Sequence, residues 1–113
     1  MWVIYGIKNC DRVKKARAQF DSQQINYRLH DYRIDGLDAS LLTRFIATLG
    51  LDAILNRNST TWRQLSDQEK HEVNSELGLQ IILNNPTLIK RPILDTGERL
   101  VVGFKPNDYA PNP

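Results

Sequence analysis

The chain opens on an apolar run rich in β-forming residues, Trp2-Val3-Ile4-Tyr5. This predicts a buried strand, after which Gly6 lets the backbone turn sharply. From Val13 the period changes: Val13, Ala16 and Phe20 fall on one helical face, while Arg12, Lys14, Lys15 and Arg17 fill the rest. Ile25 to Asp31 then alternates apolar and polar, the mark of a strand with one face covered. Strand, helix and strand make a βαβ unit. Its strands are expected to be parallel and its crossover right-handed, with the start of the helix at the carboxyl edge of the sheet.

A helical block is predicted next. Asp35-Gly36 is a turn, and Asp38 caps a helix carrying Leu41, Leu42, Phe45, Ile46 and Leu49, which Gly50 ends. Leu51 to Leu55 forms another short helical turn, and the polar segment from Asn56 to Thr61 reads as a loop, with Trp62 and Leu65 as anchors after it. Ser66-Asp67-Gln68-Glu69 has the capping-box spacing, so a helix is expected from there to about Leu77. Gly78 interrupts, and Leu79 to Leu83 makes a second short helix stopped by Asn84-Asn85-Pro86. Pro92 to Asp95 and Arg99 to Val102 flank Thr96-Gly97-Glu98 as an antiparallel hairpin. Lys105-Pro106 begins a stub of helix, and the tail from Tyr109 is expected to be irregular. Assembled, this is an α/β protein with a mixed four-stranded sheet and a helical insertion between the βαβ unit and the C-terminal hairpin.

Composition narrows the class. At 113 residues the chain is the size of one domain, expected to span 1–113, and 41% hydrophobic with 25% charged residues is a globular balance. A net charge of +2 is too small to imply nucleic acid, and no apolar run nears the roughly 20 residues of a membrane span. Lys14, Lys15 and Arg17 have no interleaved aromatics and read as a solvated helix face. His30 and His71 lie on unrelated elements, so no metal site is expected. The single cysteine excludes an internal disulfide, and an unpaired thiol fits a cytoplasmic protein.

That cysteine carries the candidate chemistry. Cys10 falls at or just before the first turn of the first helix, where unpaired backbone N–H groups and the positive end of the macrodipole favour thiolate over thiol. Asp11 beside it opposes this by adding a negative charge, unless its carboxylate turns to cap the helix.

Three stretches, YGIKNCDRVKKAR at 5–17, NRNSTTWRQL at 56–65 and IKRPILDTGERLVVGFKP at 89–106, resemble the ArsC/Spx family of arsenate-reductase-like proteins, above all its YffB-type members. The resemblance covers nearly the whole chain and implies a thioredoxin-like fold. It also implies a nucleophilic cysteine matched by Cys10, with substrate- or glutathione-binding positions at Arg91, Arg57, Lys105 and Asn9. No bound cofactor is implied; glutathione would be the co-substrate, with glutaredoxin as a partner that completes the cycle. Pro92 is the structural proline that faces the cysteine in such folds, and its bond to Arg91 is expected to be cis. Arsenate reductases have arginine where this chain has Lys105, and a small neutral residue where it has Asp11, which argues against arsenate itself. Spx regulators mostly carry a Cys-x-x-Cys switch, and Val13 stands at its second position. Two functions follow: a glutathione-dependent thiol reductase working through a mixed disulfide, or a non-enzymatic regulator that docks on RNA polymerase. In neither is a membrane or direct nucleic-acid contact expected.

Overall fold

The computed structural model describes residues 1–103. Lys105, the expected helix stub and the tail lie outside them. The described chain divides into two compact units: Met1–Gly36 together with the segment from Arg91 onward, and Leu37–Lys90.

The first unit holds the sheet. Strands β1 (Trp2–Gly6), β2 (Tyr27–Asp31), β3 (Ile93–Asp95) and β4 (Leu100–Val102) lie in the order β2-β1-β3-β4. The β1/β2 pair is parallel, and β1/β3 and β3/β4 are antiparallel. This is the mixed sheet of a thioredoxin-like fold. Helix α1 (Asp11–Ser22) connects the parallel pair and buries Val13, Ala16 and Phe20 against Ile4 and Leu94. Phe20 sits edge-on between Trp2 and Tyr27, with ring centroids 5.3 and 5.4 Å apart. Gly6 departs from expectation. It closes β1 rather than turning the chain, and its missing side chain is what lets α1 approach, since a Cβ there would lie 2.7 Å from Val13 Cγ2.

The second unit is helical: α2 (Ala39–Leu49), α3 (Leu51–Ile54), α4 (Thr60–Gln64), α5 (Asp67–Glu72), α6 (Gly78–Asn84) and a 3₁₀ turn at Pro86–Leu88. Asp38 caps α2 by accepting from the Leu41 N–H at 2.8 Å. Gly50, with φ 87°, ends that helix. An antiparallel bridge between Leu55 and Ile89 ties the segment after α3 to the end of the unit, flanked by Asn56 N–H donating to Leu88 O and Lys90 N–H to Ile54 O, both at 2.7 Å.

Three expectations are corrected in this unit. The loop expected over Asn56 to Thr61 already contains the start of α4, because the Ser59 hydroxyl accepts from Trp62 N–H and caps it. Helix α5 has the predicted capping box but stops at Glu72 instead of near Leu77. Beyond it the Ser75 hydroxyl donates to Glu72 O at 2.6 Å and accepts from Leu77 N–H, giving the backbone a turn in place of another helical turn. Gly78 begins α6 rather than interrupting; a Cβ on it would fall 1.9 Å from Val73 O, so only glycine fits.

Candidate active site

Cys10 is the N-cap residue of α1, with extended backbone (φ −114°, ψ 131°), and its carbonyl accepts the first helical bond from Lys14 N–H at 2.9 Å. Its half-buried sulfur is subject to opposing influences. Burial pushes the thiol pKa up, while the backbone N–H groups of Val13 and Arg12 and the Arg91 guanidinium, all near the sulfur though none caps it with a hydrogen bond, push it down. The downward set prevails, and the thiol pKa lies below its ordinary value. Asp11 begins the helix with an exposed side chain, where a carboxylate meets the positive end of the macrodipole.

Arg91 reaches Cys10 from the segment before β3, and its bond to Pro92 is cis, as expected. Gly103 N–H donates to Pro92 O at 2.7 Å, anchoring the proline to the far end of the hairpin. On the opposite side of β1, the loop before Cys10 is held by Asp31. That buried carboxylate accepts from Lys8 N–H at 3.0 Å and Arg33 N–H at 2.8 Å. Burial raises its pKa, but these bonds and the Arg33 charge outweigh burial and hold it below the usual carboxylate value. The next residue, Tyr32, is buried and donates its N–H to Gly6 O at 2.9 Å. Tyr5, in the middle of the sheet, packs on His30 with ring centroids 5.0 Å apart, and His30 Nε2 lies 2.7 Å from Gly36 O.

The residues singled out from sequence separate. Cys10 and Arg91 meet in the first unit, and Asn9 is exposed in the turn just before the cysteine. Arg57 belongs to the second unit, where Nη2 donates to Asp52 Oδ1 at 2.9 Å and the guanidinium lies 5.6 Å from the Trp62 ring centroid. Trp62, expected as a core anchor, is half-buried beneath that guanidinium. Asp31 and Tyr32 escaped the sequence reading. Their signal is positional: Asp31 ends the second strand and Tyr32 follows it at the carboxyl edge, where open α/β sheets place their ligands.

The comparisons with known proteins agree with this architecture. The ArsC family profile matches residues 5–111. A solved YffB protein superposes with a TM-score of 0.90 at 41% identity, covering 96% of each chain. The solution structure of an arsenate reductase (ArsC) related protein from Brucella melitensis gives a TM-score of 0.77 at 42% identity, over 96% of this chain and 90% of that one. An uncharacterised protein of Haemophilus influenzae is 44% identical over 109 residues, 96% of both chains. The regulatory protein MgsR of Bacillus subtilis is 28% identical over 110 residues, covering 93% of this chain and 84% of MgsR. Among the described residues no helix is long and apolar enough to cross a membrane. A profile match over almost the full length, joined to relatives above 40% identity that cover it, makes this chain a member of the ArsC family.

Proposed function

We propose that this chain is a thiol reductase that uses Cys10 as its nucleophile and glutathione as reductant. The observation that carries the reading is the place of Cys10 as N-cap of α1, where the positive end of the helix and the Arg91 guanidinium outweigh burial and lower its thiol pKa. The Brucella relative's description as related to arsenate reductase supports the same chemistry.

In the proposed cycle the Cys10 thiolate attacks one sulfur of a substrate disulfide, forming a bond to Cys10 and releasing the other sulfur as thiolate. With no second cysteine in the chain, an incoming glutathione thiolate must attack the mixed disulfide and free Cys10. A second glutathione, or glutaredoxin, clears the resulting mixed disulfide. Substrate is reduced by two electrons and glutathione is oxidised to its disulfide. Arg91 is assigned to the anionic part of the incoming molecule; for Arg57, Lys105 and Asn9 the same role rests on the family resemblance. The cycle needs a reducing compartment, consistent with a cytoplasmic protein.

The regulator reading has in its favour the relationship to MgsR and the departures from the arsenate-reductase pattern at Asp11 and Lys105. Against it, Val13 occupies the position of the second switch cysteine. Intact mass after incubation with oxidised glutathione tests the first reading: one adduct is expected on the wild type and none on Cys10→Ser. No adduct on the wild type, together with capture of RNA polymerase by the immobilised protein, would favour the regulator.

A further inference from the structure

Two buried polar atoms of the first unit have no hydrogen-bond partner among the described residues, the Tyr32 hydroxyl and Nη1 of Arg91. Tyr32 is only 4% exposed. Buried polar groups are nearly always paired, because an unpaired one bears its whole desolvation penalty. Two of them in one neighbourhood require a reason.

The backbone brings them to the same place. Tyr32 N–H donates to Gly6 O just after β2, and Arg91 Cβ lies 3.8 Å from where a Cβ on Gly6 would stand, just before β3. The two residues therefore flank the carboxyl end of β1, where the chain leaves for Cys10. The Arg91 guanidinium acts on both neighbours: it lowers the pKa of the Cys10 thiol, and its charge is felt at the Tyr32 hydroxyl. Burial first, then Tyr5, push the Tyr32 pKa up, and Arg91 only partly offsets them. The hydroxyl is thus protonated at neutral pH and serves as a donor. A guanidinium N–H and a phenol O–H, both unpartnered and one of them charged, complement an anionic oxygen.

We propose that Tyr32 Oη and Arg91 Nη1 together seat one anionic oxygen of the molecule that meets Cys10, either a carboxylate of glutathione or an oxygen of a free tetrahedral oxoanion. The proposal rests on the thiol-reductase reading for what the oxygen belongs to, but the seat itself is defined by the two donors. It adds a neutral donor to the cations that the family resemblance implied, and it gives the unpaired hydroxyl a function.

Calorimetric titration of the reduced wild-type protein with sodium sulfate, and separately with S-methylglutathione, measures the seat without turnover. At least one probe is expected to bind. Tyr32→Phe is expected to weaken that binding by roughly threefold to tenfold while raising the thermal midpoint, since the ring stays and the unpaired hydroxyl goes. Sulfate binding assigns the seat to a free oxoanion, and binding of S-methylglutathione alone assigns it to a carboxylate. Absence of binding by both probes overturns the proposal. So does undiminished binding by Tyr32→Phe, or a lowered thermal midpoint in that variant, which would mean the hydroxyl has a structural partner. Failure of the reductase reading shows differently: no glutathione adduct forms on Cys10 although probe binding persists.

Discussion

At Cys10 the outcome between thiol and thiolate depends on one long side chain. Val13 and Arg12 offer backbone N–H groups that any residue at those positions would keep, whereas the influence of the Arg91 guanidinium vanishes with its side chain. Arg91→Ala is therefore predicted to raise the thiol pKa and move the pH midpoint of Cys10 alkylation upward; an unmoved midpoint would remove Arg91 from the site. Losing a charge-assisted hydrogen bond of about 1.5–3 kcal/mol should also weaken glutathione capture by roughly tenfold to a hundredfold. Arg91→Lys should recover only part, because an ammonium keeps the charge without the planar fork. Cys10 and Arg91 were legible in the sequence because a lone cysteine before a helix and an arginine before a proline are both local signals. Asp31 and Tyr32 were not, since their importance arises from a register that sets Asp31 opposite Gly6 across two parallel strands. No local pattern states that pairing.

Among the elements, the contact of β1 with α1 fixes the cysteine. Gly6 admits Val13 Cγ2 to within 2.7 Å of its own missing Cβ position, so Gly6→Ala is expected to destabilise the protein by about 1–3 kcal/mol through overpacking. The same substitution should cost less in a Val13→Ala background, where the opposing methyl groups are gone; urea midpoints that simply add would contradict this packing account. Asp31 secures the loop between strand and helix through the Lys8 N–H. Asparagine there would turn an NH₂ group toward one of two backbone donors, so Asp31→Asn should cost about 1–3 kcal/mol. It should also slow Cys10 alkylation even where thiolate is saturated. The long amphipathic α1 and the capped α2 could be read directly from periodicity. The five-residue α4 could not, because one turn of helix has no period to detect and only the Ser59 cap announces it. Helix α5 is shorter than its capping box leads one to expect because Ser75 bonding back to Glu72 is a local competition that the cap at the other end does not reveal.

At the scale of the whole molecule, the order of elements in the sequence specified an α/β sheet interrupted by helices, and the strand order came from the pairings that β1 makes on both edges. The division of the described chain into two units follows the same interruption, since Leu37–Lys90 is inserted between strands of one sheet. Two groups whose pKa is lowered by folding, Asp31 and Cys10, give stability the same direction with pH. Each contributes fully above its unfolded pKa and loses that contribution as pH falls through its folded pKa, because the unfolded chain then binds the proton more readily. Urea midpoints of the reduced protein should therefore rise across the carboxylate range and again toward the ordinary thiol range. Asp31→Asn should flatten the first rise and Cys10→Ser the second; a midpoint that falls as pH rises through either range would reverse the sign.

The central claim is that Cys10 turns over disulfides at the expense of glutathione. Its most direct test is the steady-state reduction of a small disulfide with glutathione and glutaredoxin supplied, comparing the wild type with Cys10→Ser and subtracting the rate without the protein. The account predicts a protein-dependent rate in the wild type that disappears in Cys10→Ser. A rate that survives the loss of Cys10, or no protein-dependent rate in the wild type, would contradict it.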